Sequence, residues 1–367
     1  MTDAARIPAS YASSRAHFLG AAAAAGAEVS SHPIDARGPG GEALFVDVAV
    51  VGDRAAPAVL LVLSGVHGVE GFVTSAMQVD LLVRLARPDR PPLAGARVVL
   101  VHAVNPWGMT HGRRQNESNV DLNRNWGRSG GTPERNEAYD RVHHLACPDT
   151  DDVPAVERLL AEAAAVVESH GEAWLRNAIT RGQFHHPDGL HFGGHRTEVS
   201  CRILEDVVPG AVGQPSFLVV IDLHTGHGPY AALTLLCDRP EGSAQHRYLV
   251  DTFAGIEVTI EAAADPHGAN PRKQGAIARG IAELVGATET MVTTPEVGTA
   301  GDLEQLVATY QEQWVHRCGD TGDPAHAEVR AAYRRCFTPD DAEWEADARA
   351  LGAQVLDAAL DSVRASR

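Results

Sequence analysis

Three things are scarce in this chain of 367 residues, and each scarcity excludes a class of protein. The five cysteines, Cys147, Cys201, Cys237, Cys318 and Cys336, are odd in number and show no CxxC spacing, which speaks against a disulfide framework and against a cysteine zinc site. No stretch reaches the roughly 18 continuous apolar residues that a membrane span requires. Arg15 and His17 precede the alanine run that follows Phe18-Leu19-Gly20, and no longer leucine-rich segment follows. This start reads as a short amphipathic helix and not as a signal peptide, so a cytoplasmic protein is expected. Positive charge is also short. With a formal net charge of −17, the chain lacks the clustered Lys and Arg from which nucleic-acid binding draws most of its affinity.

What is present is a hydrophobic share of 44 % with 22 % charged residues, enough for a sizeable core. One domain is expected over residues 1–367, with a helical extension at the N-terminus (about 1–40) and another at the C-terminus (about 301–367). The six-residue apolar run AVLLVL, Ala58 to Leu63, lies between Pro57 and Gly65 and reads as a buried strand. Ala43 to Val51 reads as a strand partnered by it, after a Pro/Gly-rich connection from His32 to Gly41. A helix is expected from Phe72 to Ala86 and a further strand from Val98 to Val104, a parallel crossover unit. Later strands are expected at Phe217 to Asp222, Leu233 to Cys237, Ile256 to Ile260 and Thr288 to Thr293, among helices near Ser243 to Phe253 and Arg272 to Val285.

Four of these strands end in polar signatures: SGVHGVEG, NPWG, IDLHTGHG and TPEVGT. Open α/β sheets bind ligands at the carboxyl ends of their strands. Beyond the AVLLVL strand, Gly65, Gly68 and Gly71 allow a sharp loop that turns His67 and Glu70 to a common centre. An imidazole and a carboxylate are two of the three protein ligands of a catalytic zinc. With eighteen histidines, an HxxE pair arises by chance about once, and a second exists at His195/Glu198. His224, just past FLVVID, supplies a third ligand, with His227 as the internal competitor. Asp222 reads either as a partner that fixes a ligand's tautomer or as a strand-end cap. The stretch Asn105 to Trp126 holds three arginines and five asparagines, donors suited to a carboxylate or to an oxygen gaining charge.

The combination of HGVEG, NPWG, DLNRNW, DLHTG and EVGT, in this order from about Leu44 to Ala300, resembles the zinc carboxypeptidase superfamily. In detail it resembles a bacterial branch, catalogued as a domain of unknown function, that shares the loop GQFHHPDGLHFGG. The resemblance implies an α/β/α sandwich with a mixed central sheet and one Zn2+ per chain. It implies His67, Glu70 and His224 as zinc ligands, Asn123 and Arg124 as the holders of a substrate carboxylate, and Glu296 as general base. Arg113 and Arg114 compete for the carbonyl-polarising position, with Arg114 favoured. Tyr230 is the candidate for a tyrosine that closes over substrate, although no motif carries it. The expected activity is hydrolysis of a peptide or amide bond beside a free carboxylate, on a small peptide. The alternatives are deacylation of an N-acyl amino acid, as in aspartoacylase-like and succinylglutamate desuccinylase-like relatives, and a non-catalytic binding module on the same fold.

Overall fold

The computed structural model describes residues 7–128, 133–148, 155–263, 273–320 and 323–366. Its centre is a mixed sheet of nine strands: β1 (Glu28–Arg37), β2 (Ala43–Gly52), β3 (Ala58–Leu63), β4 (Ala96–His102), β5 (Phe217–Asp222), β6 (His224–Gly226), β7 (Leu233–Cys237), β8 (Thr259–Ala262) and β9 (Glu289–Gly298). The order is β1-β2-β4-β3-β5-β9-β7-β8, and β6 pairs with β9. Strands β4, β3, β5 and β9 are mutually parallel, so their carboxyl ends share one edge of the sheet.

Helices cover both faces, and the side-chain alternation of the central strands shows why. Ala58, Leu60 and Val62 pack with Phe18, Met77, Val355 and Leu356, from the helices Tyr11–Ala24, Gly71–Leu85 and Ala342–Ala365. Val59, Leu61 and Leu63 pack on the opposite side with Leu204, Val208 and Ile281, from the helices Val199–Val212 and Ile277–Val285. A strand buried on both faces loses the polar alternation of a half-exposed one and becomes a continuous apolar run, and all six residues of β3 and all six of β5 are buried. Among the described residues no helix is long and apolar enough to cross a membrane.

Five expectations change. Strand β2 does not pair with β3: β4 lies between them, antiparallel to β2 and parallel to β3, because the crossover through Gly71–Leu85 returns the chain to that side. The segment around His32 is an edge strand and not a connection, since Glu28–Arg37 pairs with β2 and its register shifts between Pro33 and Arg37. Its residues are mostly exposed, so apolar patterning gives no signal, and an edge tolerates the proline that cannot donate. Strand β8 lies slightly later than expected, and β9 runs on to Gly298, so that Glu296 sits inside the strand, level with His224 on β6. Of the helix expected from Arg272, residue 272 lies outside the described residues; the helix begins at Ile277.

Two glycines give opposite expectations for an added methyl. At Gly68 a Cβ would stand 2.0 Å from the Gly108 carbonyl carbon and 2.2 Å from the Met109 nitrogen, backbone that cannot step aside. Gly20, inside the helix Tyr11–Ala24, has open space around it. Gly68→Ala is expected to destabilise by about 1–3 kcal/mol, as overpacking does, and Gly20→Ala to stabilise by about 0.5–1 kcal/mol through helix propensity. Denaturant midpoints check both, and a Gly68→Ala midpoint at or above wild type would contradict the close approach.

Candidate metal centre

The loop after β3 turns into a short 3-10 segment, Gly68–Glu70, followed directly by the helix Gly71–Leu85. Two backbone bonds tie this turn to the loop after β4: Gly68 N donates to Arg114 O at 3.3 Å, and Val69 N to Arg113 O at 2.9 Å. The absence of a side chain at Gly68 permits that approach. His67 and Glu70 therefore face each other, with Nδ1 and Oε1 2.8 Å apart. Past β5, His224 presents its Nδ1 to the other oxygen of Glu70, also at 2.8 Å. His67, Glu70 and His224 are all buried, and one donor atom of each lies within 4.8 Å of the others.

The outer nitrogens of both imidazoles are buried and make no hydrogen bond, yet each has a carboxylate close by. His67 Nε2 lies 3.4 Å from Asp121 Oδ1, and His224 Nε2 lies 2.9 Å from Asp222 Oδ2. A carboxylate there draws the ring proton to Nε2 and leaves Nδ1 its lone pair. The chemistry of this donor set fits a zinc ion: two imidazole nitrogens and a carboxylate converge, with a second carboxylate near the far side of each ring. The charges agree with this. Burial works against ionising Glu70, yet the two imidazoles hold its carboxyl well below the ordinary range. Burial also opposes a charge on His224, but Asp222 and Glu70 raise its pKa well above the usual value. Such a concentration of buried anionic charge calls for a cation.

Asp121 is the residue whose role the sequence did not disclose. It is wholly buried and meets His67, Arg114 Nε at 3.2 Å, His191 Nδ1 at 3.0 Å and Arg124 Nη1 at 3.9 Å. Burial would raise its carboxyl, but Arg124, Arg114 and His67 hold it well below the ordinary range. The same carboxylate accepts from Asn123 N at 2.9 Å and so shapes the 3-10 turn Leu122–Arg124. His191 comes from the His-rich loop, which is bound to the turn where Asp121 N donates to Phe192 O at 2.8 Å. The position of Asp121 at the head of DLNRNW is the only signal for this in the sequence.

The neighbouring arginines have separate fates. Arg113 is buried away from the triad, against Glu312 at 2.7 Å, Gln313 at 2.9 Å and Asn119 at 3.2 Å. Arg114 faces the triad, with Nη1 3.5 Å from Glu70 Oε1. Asn123 donates to Asp222 at 3.3 Å and accepts from Ile277 N, the first residue of its helix, at 3.0 Å. Arg124 is 1 % exposed, and its two Nη atoms donate to the carbonyls of Asn123 and Thr180. Glu296 reaches toward the backbone of His227, whose N–H donates to it at 3.4 Å. Burial pushes the Glu296 carboxyl above its ordinary value; His224 pulls it down and Glu70 pushes it further up. His227 itself pairs with Glu261 at 3.0 Å and is not in the triad.

Two candidates stand apart. Tyr230 is 52 % exposed and donates its hydroxyl to Asp341 at 2.5 Å, so the structure does not bring it to the triad. In the second HxxE, His195 is exposed, while Glu198 is buried and accepts from Asn116 at 2.9 Å. Among the described residues one other group, His143, Cys147 and Asp188, has metal-ligand types close together, but Arg317 donates to the thiol and lies 3.4 Å from Asp188, a cation where a metal would have to stand.

Comparison with known proteins agrees with this architecture. Residues 8–350 match the family described as "Protein of unknown function (DUF2817)", and the chain belongs to that family. Among solved structures it is similar to a carboxypeptidase A from Helicoverpa armigera, with 13% identity, a TM-score of 0.50 and coverage of 90% of this chain and 74% of that one. A metallo-carboxypeptidase from Burkholderia cenocepacia is 16% identical, with a TM-score of 0.43 over 95% of this chain and 68% of that one. A succinylglutamate desuccinylase/aspartoacylase from Rhodobacter sphaeroides is 15% identical, with a TM-score of 0.38 over 81% of this chain and 66% of that one. No curated protein matches the chain. The first of these structures shows that the fold is carboxypeptidase-like.

The contrast between Arg113 and Arg114 is testable. Arg113→Met leaves Glu312 buried without its cation and is expected to cost about 3–5 kcal/mol. Arg114→Met should cost clearly less, because Asp121 keeps His67, His191 and Arg124. Chemical denaturation of both variants decides it, and equal losses would refute the assignment of Arg113 to the scaffold.

Proposed function

We propose that this member of the DUF2817 family is a zinc-dependent hydrolase of a peptide or amide bond next to a free carboxylate. The observation that carries the reading is the convergence of His67 Nδ1 and His224 Nδ1 on the two oxygens of Glu70, with Asp121 and Asp222 behind the rings. His67, Glu70 and His224 would hold one zinc ion per chain. When bound there, zinc supplies Lewis acidity that polarises a carbonyl and makes water easier to deprotonate.

The remaining steps fall to the protein's own groups. Glu296, level with His224 across the β6–β9 pair, takes a proton from the attacking water and returns it to the leaving amine nitrogen. A carboxyl raised by burial is suited to both directions of that transfer, since its pKa moves toward the working pH. Arg114 lies beside Glu70, where its guanidinium meets the carbonyl oxygen as negative charge develops. Arg124 supplies the positive base of the subsite for the free carboxylate, with the amide of Asn123 beside it. Arg124 is buried against Thr180 and Gly182, which would close the far end of that subsite. A closed end favours cleavage of a terminal residue and gives weight to a second reading within the same chemistry, the deacylation of small N-acyl amino acids.

Metal content and turnover separate the roles. His67→Ala and His224→Ala are expected to abolish zinc binding, measured by elemental analysis, whereas His195→Ala retains it. Glu296→Gln should keep zinc and lose ~10²–10⁴ in rate in a hydrolysis screen of dipeptides and N-acyl amino acids. Zinc retained with less than about a tenfold loss would assign the base elsewhere, and zinc lost together with activity would make Glu296 a ligand.

A further inference from the structure

The chain contains a single lysine, Lys273, against thirty arginines among its 31 basic residues. It is half-buried and lies four residues before Ile277, whose N–H donates to Asn123. The segment that follows it is fastened to the DLNRNW turn. Trp126 N donates to Gly275 O at 3.0 Å and Ile277 N to Asn123 Oδ1 at 3.0 Å. Gly275 has a φ of +72°, and a Cβ on it would stand 2.2 Å from Arg124 O. Lys273 is thus held two residues from a backbone pressed against Arg124. Its ammonium lies in the fields of two cations, Arg124 and Arg114, and of two anions, Glu296 and Asp121.

Arg124 is poorly placed to meet a substrate alone. It is sealed from solvent, and both Nη atoms already serve backbone carbonyls. No ion pair ties Lys273 to a carboxylate among the described residues. A half-buried ammonium near two guanidinium groups, with no direct ion pair among the described residues, has donors left to offer an incoming anion. We propose that Lys273 is the residue that directly contacts the free carboxylate of the substrate, with Arg124 as the buried charge behind it. This rests on the amide-hydrolase reading and refines it, since it makes the accepted compounds those whose carboxylate stands free beside the scissile amide. Burial, reinforced by Arg124 and Arg114 and opposed by Glu296 and Asp121, lowers the pKa of Lys273 to about 8. An anion in contact would restore the ammonium and protect it from arylation.

Because there is one lysine, an amine-directed reagent such as trinitrobenzenesulfonate reports on Lys273 and the α-amine only. The full-length, zinc-loaded protein is labelled near pH 8 and mapped by peptide mass, with N-acetyl-L-alanine or N-acetyl-L-phenylalanine at saturating millimolar concentration, or with their carboxamides. The free acids are expected to slow labelling of Lys273 by at least ~tenfold, the carboxamides not at all, and the α-amine serves as the internal control. In turnover, Lys273→Gln should raise KM for a free-acid substrate ~10- to 100-fold with kcat nearly unchanged, and Lys273→Arg should recover most of the loss. Selective protection without hydrolysis of any amide would sink the hydrolase reading and leave the carboxylate contact standing. Hydrolysis with Lys273 labelled equally in the presence of acid and amide, or with KM unmoved in Lys273→Gln, would overturn the proposal for Lys273.

Discussion

A wholly buried carboxylate, Asp121, has to be neutralised by whatever surrounds it, and the site is arranged around that requirement. Removing an ionised carboxylate from water costs several kcal/mol even after relaxation. Here His67, Arg114, His191 and Arg124 all converge on it. The four come from three parts of the chain: the loop after β3, the loop after β4 with the turn of Asp121 itself, and the His-rich loop. One charge therefore stands beside the imidazole of His67, holds the guanidinium of Arg114 next to Glu70 and fastens the His-rich loop over the turn.

The sheet makes this convergence possible. Parallel pairing of β4, β3, β5 and β9 delivers four loops to one edge, and close backbone contacts then set their spacing. Gly68 against Gly108 brings Glu70 beside Arg114, and Gly275 against Arg124 fixes the backbone two residues from Lys273. Packing on both faces, by Met77 and Leu356 on one and by Leu204 and Ile281 on the other, makes the edge rigid. A site of this kind needs its groups held to within a fraction of an ångström.

Much of this was legible in the sequence, for reasons tied to particular residues. Runs such as AVLLVL and FLVVID announce strands buried on both faces, and the polar residues directly after them mark the edge where His67, Glu70 and His224 meet. Strand β1 was hidden because an exposed edge strand carries no apolar pattern. Strand order was hidden because nothing local tells Ala43–Gly52 that Ala96–His102 will separate it from Ala58–Leu63. Arg113 and Arg114 are adjacent and chemically identical, yet Glu312, 199 residues away in sequence order, claims the first. Tyr230 was nominated by nearness to His224 in sequence, and its side chain leads outward to Asp341. Lys273 belongs to no motif; only its uniqueness in the composition marks it.

The central claim is that His67, Glu70 and His224 jointly bind zinc, and the most direct measurement is anomalous diffraction across the zinc absorption edge from crystals of the purified protein. The account predicts one zinc peak per chain, about 2.0–2.1 Å from Nδ1 of both His67 and His224 and bonded to Glu70 through oxygen. A chain whose zinc sits elsewhere, whether at His143, Cys147 and Asp188 or at His195 and Glu198, or whose triad binds no zinc at saturating metal, would contradict it.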